Sequence, residues 1–253
     1  AGNMGDRPGN FAIQNSDLVL SIGSRLSIRQ VGYNYGTWAR AAYVIVNDID
    51  EEELKKPSVH SDMRIHGDAR DLLEQMDKVL DEILTAEGGS AGGEAGWKPF
   101  FGGGQGLAGM SWIETCRMWK EKYPVVLPKH FAHSDEEPAN VYAMIKEISS
   151  RLEEGQITVV GNGSACVVGG HAWVIKKGQR FITNSAIAAM GYDLPAAIGV
   201  WAASRDQQCY HQGDRATGKD LILLTGDGSI QMNLQELQTI IHHEMNIKIF
   251  LIN

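Results

Sequence analysis

The stretch Leu221-Ile222-Leu223-Leu224-Thr225-Gly226-Asp227-Gly228-Ser229 decides the fold of the C-terminal half of this chain. Its apolar run, residues 221–225, is continuous, which is typical of a strand buried on both faces of a parallel sheet. The Gly-Asp-Gly-Ser turn follows at the carboxyl end of that strand, and a helix is predicted from Asn233 onward. The turn therefore presents a carboxylate and free backbone N–H groups at a place where a Mg²⁺-bound diphosphate is well held.

A second apolar strand, Ile247 to Ile252, is predicted further along the chain and ends in Asn253. A Gly-Asp-Gly string by itself is common in plain turns. Its position between a buried strand and a helix, together with the later strand and its Asn, favours a metal and diphosphate site at Asp227.

Strands and helices alternate along the chain. Buried strands are predicted at residues 17–23, 43–48 and 157–160, and helices at residues 71–85, 111–122 and 139–154. This order predicts an α/β fold made of two three-layer α/β/α domains with mainly parallel sheets. Residues 87–109 are rich in Gly and poor in aliphatic side chains, which predicts a surface linker. The predicted domains are therefore residues 1–86 and 110–253.

Charge and composition exclude several classes of function. The chain has 23 Lys and Arg against 31 Asp and Glu, a net charge of −8, and no long basic cluster, which disfavours nucleic-acid binding. No apolar run approaches the roughly 20 residues of a membrane span. Cys116, Cys166 and Cys209 form neither a CxxC pair nor a disulfide framework. We expect a cytoplasmic protein that binds neither nucleic acid nor membrane.

Three blocks of sequence resemble the acetolactate synthase family, the large catalytic subunits among the thiamine-diphosphate 2-oxo acid carboligases. The blocks are Gln14 to Arg25, Ala189 to Gly199, and Gly226 to Asn233 with Gln235-Glu236-Leu237. The resemblance implies that residues 1–86 form the family's middle domain, of the FAD or nucleotide type. Residues 110–253 would then form most of its C-terminal, thiamine-diphosphate-binding domain, in truncated form.

The activity implied by this resemblance is the condensation of two 2-oxo acids, pyruvate to 2-acetolactate plus CO₂, in branched-chain amino-acid biosynthesis. Thiamine diphosphate and Mg²⁺ would be the cofactors. Two related activities stay open, a thiamine-diphosphate 2-oxo acid decarboxylase and a carboligase that acts on sugars. A non-catalytic flavin- or nucleotide-binding module is a third alternative, and the metal-ligand turn at Asp227 argues against it.

The resemblance also implies roles for individual residues. Asp227 would be the carboxylate ligand of Mg²⁺, and Met190 would be the bulky apolar residue that bends the cofactor, the alternative being a filler of the core. The carbonyl of Ala188 would accept a hydrogen bond from the cofactor's amino group. The full cofactor-binding set implied is Gly163, Ser164, Ala188, Met190, Gly226, Gly228 and Ser229, with Gly228 and Ser229 donating N–H and hydroxyl groups to the diphosphate.

Two turns depart from the family's pattern. After Gly163 this chain has Ser-Ala-Cys where the family often has Gln-His-Gln, and after the first strand it has Gly-Ser-Arg-Leu-Ser-Ile-Arg in place of Gly-Ala-Arg-Phe-Asp-Asp-Arg. The second difference leaves the binding of FAD open. The candidate FAD residues are Arg25, Asp48, Asp50 and Asp68, and capping at strand ends is the alternative role of the three acids.

In the family a catalytic glutamate comes from an N-terminal domain across a dimer interface, and that domain is not part of this sequence. No residue here is therefore assigned as the catalytic acid, and we expect the 253-residue chain to be inactive by itself. The parent protein is expected to be a homodimer or homotetramer, with or without a regulatory subunit, acting on a small 2-oxo acid.

Overall fold

The computed structural model describes residues 2, 5–86, 107–132, 138–205 and 220–253. The predicted linker, residues 87–109, lies outside the described residues except for its last three. The described chain divides into two units, Ala1–Pro124 and Val125–Asn253.

The helices and strands of each unit alternate along the chain. The first unit contains α1 (Arg7–Asn15), β1 (Leu18–Ile22), α2 (Ile28–Val31), β2 (Tyr43–Asp48), α3 (Glu51–Lys55), β3 (Met63–His66), α4 (Ala69–Ala86) and α5 (Trp112–Lys122). The second unit contains α6 (Val141–Arg151), β4 (Ile157–Val160), α7 (Ser164–Ala172), β5 (Arg180–Thr183), α8 (Asp193–Arg205), β6 (Leu221–Gly226), α9 (Asp227–Gln231), α10 (Glu236–His242) and β7 (Ile247–Ile252). Short 3₁₀ turns lie at Tyr35–Thr37, Leu107–Gly109 and Pro128–His130.

Both sheets are parallel, and the predicted α/β class is confirmed. The order is β1-β2-β3 in the first unit and β5-β4-β6-β7 in the second. The strands β3 and β5 were not predicted, because four residues with mixed polarity carry too little periodic signal. The helix predicted from Asn233 starts at Glu236, and the residues between Asp227 and Gln231 form the additional short helix α9.

The sheet of the second unit is covered on both faces. All four residues of β4 and five of the six in β6 are buried, as the continuous apolar runs predict. Side chains of one face, among them Val159 and Leu223, pack with Leu194 and Ala197 of α8 and Ile240 of α10. The two central strands therefore form a rigid base for the turns that follow them.

The sheet of the first unit has one buried face. Val19, Val44 and Val46 point into a core that also includes Leu54 of α3 and Val59. Along the opposite face the register aligns Leu18 with Tyr43 and Ile45 with Met63, and Leu18, Tyr43 and Met63 are exposed among the described residues.

The helix α5 belongs to the first unit. Its Trp119 and the following Tyr123 lie against Phe11 of α1, with ring centroids 5.8 and 5.2 Å apart. A capping box between Ser111 and Glu114 starts this helix. The sequence-based domain limits at residues 86 and 110 stay a prediction, and the packing groups α5 with the residues that precede it.

Candidate functional site

The strand order of the second unit creates a crevice at one edge of its sheet. The chain passes from β4 outward to β5 and then returns to the other side of β4 as β6. In open parallel sheets, ligands bind beyond the carboxyl ends of the strands at such a reversal of strand order. The turns after β4 and β6, at residues 161–164 and 226–229, both lie at this point.

The turn after β4 presents the start of a helix to open space. Gly163 precedes α7 and adopts a φ of +67°, in the left-handed region that favours glycine. No heavy atom lies within 4 Å of where a Cβ of Gly163 would be, and Gly163 and Ser164 are exposed. The first N–H groups of a helix have no acceptor within the helix, so this turn can donate to an anionic group.

The turn after β6 forms the first turn of α9. Gly226 is its N-terminal flanking residue, Asp227 and Gly228 are exposed, and open space surrounds the position of a Gly226 Cβ. The register pairs Gly226 with Ile252, so Asn253 leaves β7 at the level where Asp227 leaves β6. The structure thus places the predicted metal ligand and the Asn on adjacent strands at the same edge.

Ser229 differs from its neighbours because it is buried. Its hydroxyl donates to Asp193 Oδ1 at 2.9 Å and accepts from the backbone N–H of Gly191 at 2.8 Å. The single hydroxyl proton is therefore directed inward. The predicted role of Ser229 toward a diphosphate rests on its backbone N–H.

The segment before α8 approaches this turn. Ala188 has a φ of +57°, a strained conformation for a residue with a Cβ, and its carbonyl accepts from the Asn162 side-chain amide. That oxygen retains a second lone pair for a ligand. Met190 is 51% exposed, and its Sδ lies 4.0 Å from the position of a Cβ on Gly228. The structure therefore brings Met190 to the turn at Asp227.

Asp193 is a residue of this site that sequence reasoning missed. It is the first residue of α8 and its side chain is fully buried. It accepts hydrogen bonds from the hydroxyls of Thr225 and Ser229. An acid at the start of a helix is usually an exposed partner of the helix dipole, so the sequence offered no sign of burial.

The four candidate FAD residues of the first unit are engaged within the protein. The Arg25 Nε lies 2.8 Å from Glu53 Oε1, and Glu53 also pairs with Lys56 at 2.8 Å. The hydrogen bond from Lys56, and to a lesser degree the charges of Lys56 and Arg25, hold the pKa of the Glu53 carboxyl below its usual value. The carboxylates of Asp50 and Asp68 accept from the N–H groups of Glu52 and Arg70 at 2.9 and 2.7 Å.

Asp48 is buried at the end of β2, where Oδ1 accepts from the N–H of Asp50 at 3.0 Å. The cavity between Asp48, Arg25, Glu53 and Lys56 has a volume of about 10 Å³, room for about one water molecule. The described strands of this unit also run in the order β1-β2-β3 without a reversal. These features fit the capping role of the acids.

Two domain families match this chain. The family described as "Thiamine pyrophosphate enzyme, central domain" matches residues 1–76, and "Thiamine pyrophosphate enzyme, C-terminal TPP binding domain" matches residues 161–253. The chain belongs to the thiamine pyrophosphate enzymes. The second match covers both turns of the crevice, and thiamine pyrophosphate is the ligand named in its description.

The curated relatives of this thiamine pyrophosphate enzyme include large subunits of acetolactate synthase. The protein of Cyanidium caldarium is 31% identical over 96% of this chain and 35% of its own length. Isozyme 1 of Escherichia coli K12 is 24% identical over the whole chain and 37% of its own length, and the probable large subunit of Methanococcus aeolicus is 27% identical over 98% and 37%. The chain thus spans just over a third of the length of these relatives.

The described residues contain no group of three or more His, Cys, Asp or Glu side chains that could hold a metal ion. None of the described helices is both long and apolar enough to cross a membrane.

Proposed function

We propose that this chain is part of a thiamine-diphosphate- and Mg²⁺-dependent enzyme of the acetolactate synthase type. The reaction would condense two molecules of pyruvate to 2-acetolactate and CO₂, in branched-chain amino-acid biosynthesis. The observation that carries the proposal is the open crevice between β4 and β6, where Gly163 and Gly226 border space free of side chains and Asp227 is exposed beside it. The similarity to acetolactate synthase large subunits suggests the reaction.

The residues of the crevice fit a diphosphate with its metal ion. N–H groups at the starts of α7 and α9, from Ser164 and from Gly228 and Ser229, would donate to the phosphate oxygens. Asp227 would be one oxygen ligand of an octahedral Mg²⁺, with phosphate oxygens supplying others, which agrees with the absence of a larger cluster of acids among the described residues.

Two residues would act on the organic part of the cofactor. Met190 would pack against it and hold it bent, and the Ala188 carbonyl would accept from its amino group. The bound cofactor would supply the carbanion chemistry that removes CO₂ from one 2-oxo acid and joins the remainder to a second carbonyl compound. The protein's own contribution would be to orient the cofactor, anchor its charge and exclude water.

The four candidate flavin residues of the first unit are already engaged within the protein. The guanidinium of Arg25 is paired with Glu53, Asp50 and Asp68 cap helices, and the cavity beside Asp48 holds about one water molecule, near 10 Å³. No step of the proposed reaction is therefore assigned to FAD.

The proposal includes an assembly and a location. Because the relatives are named as large subunits, we propose that the parent protein forms a homodimer or homotetramer, with a regulatory subunit as a further partner. The catalytic acid would come from outside this chain, and neither Glu236 nor Glu244 is assigned that role. A cytoplasmic location is part of the proposal.

The test is an assay of the full-length parent protein with pyruvate, thiamine diphosphate and Mg²⁺. We expect 2-acetolactate, detected as acetoin after acid treatment, and no flavin absorbance near 450 nm in the purified protein. Release of acetaldehyde without acetolactate would favour the decarboxylase instead. A need for a sugar acceptor would favour the sugar-directed carboligase.

A further inference from the structure

The buried carboxylate of Asp193 connects the parts of the crevice. Its Oδ1 accepts from Ser229, in the first turn of α9, and its Oδ2 accepts from Thr225, in β6. Both Asp193 and Thr225 are fully buried, and Ser229 is 4% exposed. Each carboxylate oxygen thus has a hydroxyl donor, which is the condition for keeping a polar group inside a protein.

The connection continues to the segment that carries Met190. Ser229 accepts from the N–H of Gly191 at 2.8 Å, while the carbonyl of Gly191 accepts from the Asn233 side chain at 2.6 Å. Both backbone groups of Gly191 are therefore held by residues that follow β6. Met190 precedes Gly191, and its position relative to the turn at Asp227 is set by these bonds.

The carboxylate also occupies the space above the end of β4. A Cβ added to Gly161 would meet Asp193 Oδ2, so the absence of a side chain at Gly161 makes room for the acid. Asp193 consequently lies between the ends of β4 and β6, beneath the crevice. It approaches Gly161, directly after β4, and accepts a hydrogen bond from Thr225 in β6.

We propose that Asp193 is a positioning residue for the cofactor, an inference that rests on the proposed function. Asp193 keeps Met190 at a constant distance from the turn at Asp227, so that one part of the ligand is packed by Met190 while its diphosphate is held at the turn. Asp193 acts through Ser229 and Gly191. Without it, the Ser229 hydroxyl loses the acceptor that orients its oxygen toward the N–H of Gly191, and the Met190 segment is held less firmly.

The test is a double-mutant cycle in the full-length protein, read as the equilibrium affinity for thiamine diphosphate with Mg²⁺ in the absence of substrate. The variants are Met190→Ala, Asp193→Ala and the two together. In the wild-type background we expect Met190→Ala to weaken binding about tenfold, as the loss of a packed side chain does. In the Asp193→Ala background the same substitution should have less than about a threefold effect, because the Ser229 hydroxyl that bonds Gly191 is no longer oriented and Met190 is held less firmly.

Two further variants keep this test decisive. Asp193→Asn serves if Asp193→Ala does not fold, since an amide has one acceptor oxygen and one of the Thr225 and Ser229 hydroxyls therefore loses its bond to this side chain. Thr158→Val is the matched control, because it removes a buried hydroxyl from β4 outside these hydrogen bonds, and Met190→Ala should keep its full effect in that background.

Equal effects of Met190→Ala in the wild-type, Asp193→Ala and Asp193→Asn backgrounds would overturn the positioning role. Inorganic pyrophosphate with Mg²⁺ serves as a second probe, because it lacks the part that Met190 contacts, and Met190→Ala should leave its affinity unchanged. If wild-type protein bound neither thiamine diphosphate nor pyrophosphate, the proposed function itself would fail.

Discussion

Three glycines of the second unit provide the sharpest test of its backbone geometry, because alanine at each is expected to change stability differently. Gly191 has a φ of +82°, and a Cβ there would lie 2.9 Å from Asn233 Nδ2 and 3.0 Å from Met232 Cβ. Gly163 also has a positive φ, +67°, but its Cβ would meet nothing within 4 Å. Gly199 is a helical, exposed residue of α8 with open space around it.

The expected free-energy changes follow from these surroundings. Alanine is disfavoured by about 1–3 kcal/mol in these positive-φ conformations, at Gly163 (φ +67°, ψ −137°) as at Gly191 (φ +82°). At Gly191 the displaced neighbours add about 1–3 kcal/mol, for a total near 3 kcal/mol. At Gly199 alanine should stabilise the helix by about 0.5–1 kcal/mol, since its backbone loses less entropy on folding.

The measurement is the thermal midpoint of unfolding by circular dichroism, at one scan rate for all variants. A unit of about 130 residues shifts by roughly 3–4 °C per kcal/mol. We expect a fall near 10 °C for Gly191→Ala, near 5 °C for Gly163→Ala, and a rise of about 2–3 °C for Gly199→Ala. Equal shifts for Gly191→Ala and Gly163→Ala would show that the contacts of Gly191 with Asn233 and Met232 are wrong, and a fall for Gly199→Ala would refute the helix.

Two further predictions concern acidic side chains. Asp227→Asn should raise the dissociation constant of Mg²⁺-thiamine diphosphate in the parent protein by about 100-fold or more. This exceeds the usual loss of affinity when a residue that only hydrogen-bonds to a metal ligand is changed, because Asp227 would be a ligand itself. Unchanged affinity would remove Asp227 from the metal site. Without cofactor, the melting temperature of the Asp227→Asn variant should differ from that of wild type by less than about 2 °C, because the Asp227 side chain is exposed and no described residue bonds to its carboxylate. The backbone N–H of Val44 donates to Asp62 at 2.7 Å and, with His60, holds the pKa of that carboxyl below its usual value. A lowered pKa in the folded state means stabilisation that is present above about pH 3.9, the unfolded value, and is lost as pH falls through the folded pKa. Urea titrations should therefore show wild type more stable than Asp62→Asn at pH 6 and the difference closing below about pH 4; a constant difference across that range would contradict the contribution of the charge.

Much of the candidate site could be predicted because its residues are close in sequence to strongly patterned strands. The strands β4 and β6 are buried on both faces and therefore appear in the sequence as continuous apolar runs, from which the ends of both strands could be predicted. The glycine turns follow these strands directly. The orientation of the Ser229 hydroxyl could not be predicted in this way. Serine is a residue type that often binds phosphate, and only the packing shows that this hydroxyl donates to Asp193.

The first unit gives the complementary case. Asp48, Asp50 and Asp68 were placed at strand ends from the sequence; in the structure Asp48 ends β2, whereas Asp50 and Asp68 each lie two residues beyond a strand, at the starts of α3 and α4. Their partners, the neighbouring N–H groups of Asp50, Glu52 and Arg70, come from local turns that a carboxylate forms readily. The pairing of Arg25 with Glu53 joins residues 28 positions apart, and no local pattern predicts it.

The sequence by itself determined the parallel α/β class, the position of the turns at Gly163 and Asp227, and the resemblance that led to the family. These depend on runs and spacings within one segment of chain, where neighbouring residues dictate hydrophobic burial and backbone conformation. Only the tertiary structure decided that Asp193 lies under the crevice and that Gly191 is bonded through Ser229 to α9. Those contacts join segments more than thirty residues apart, and a buried carboxylate chooses its partners from whatever the folded strands bring within hydrogen-bond distance.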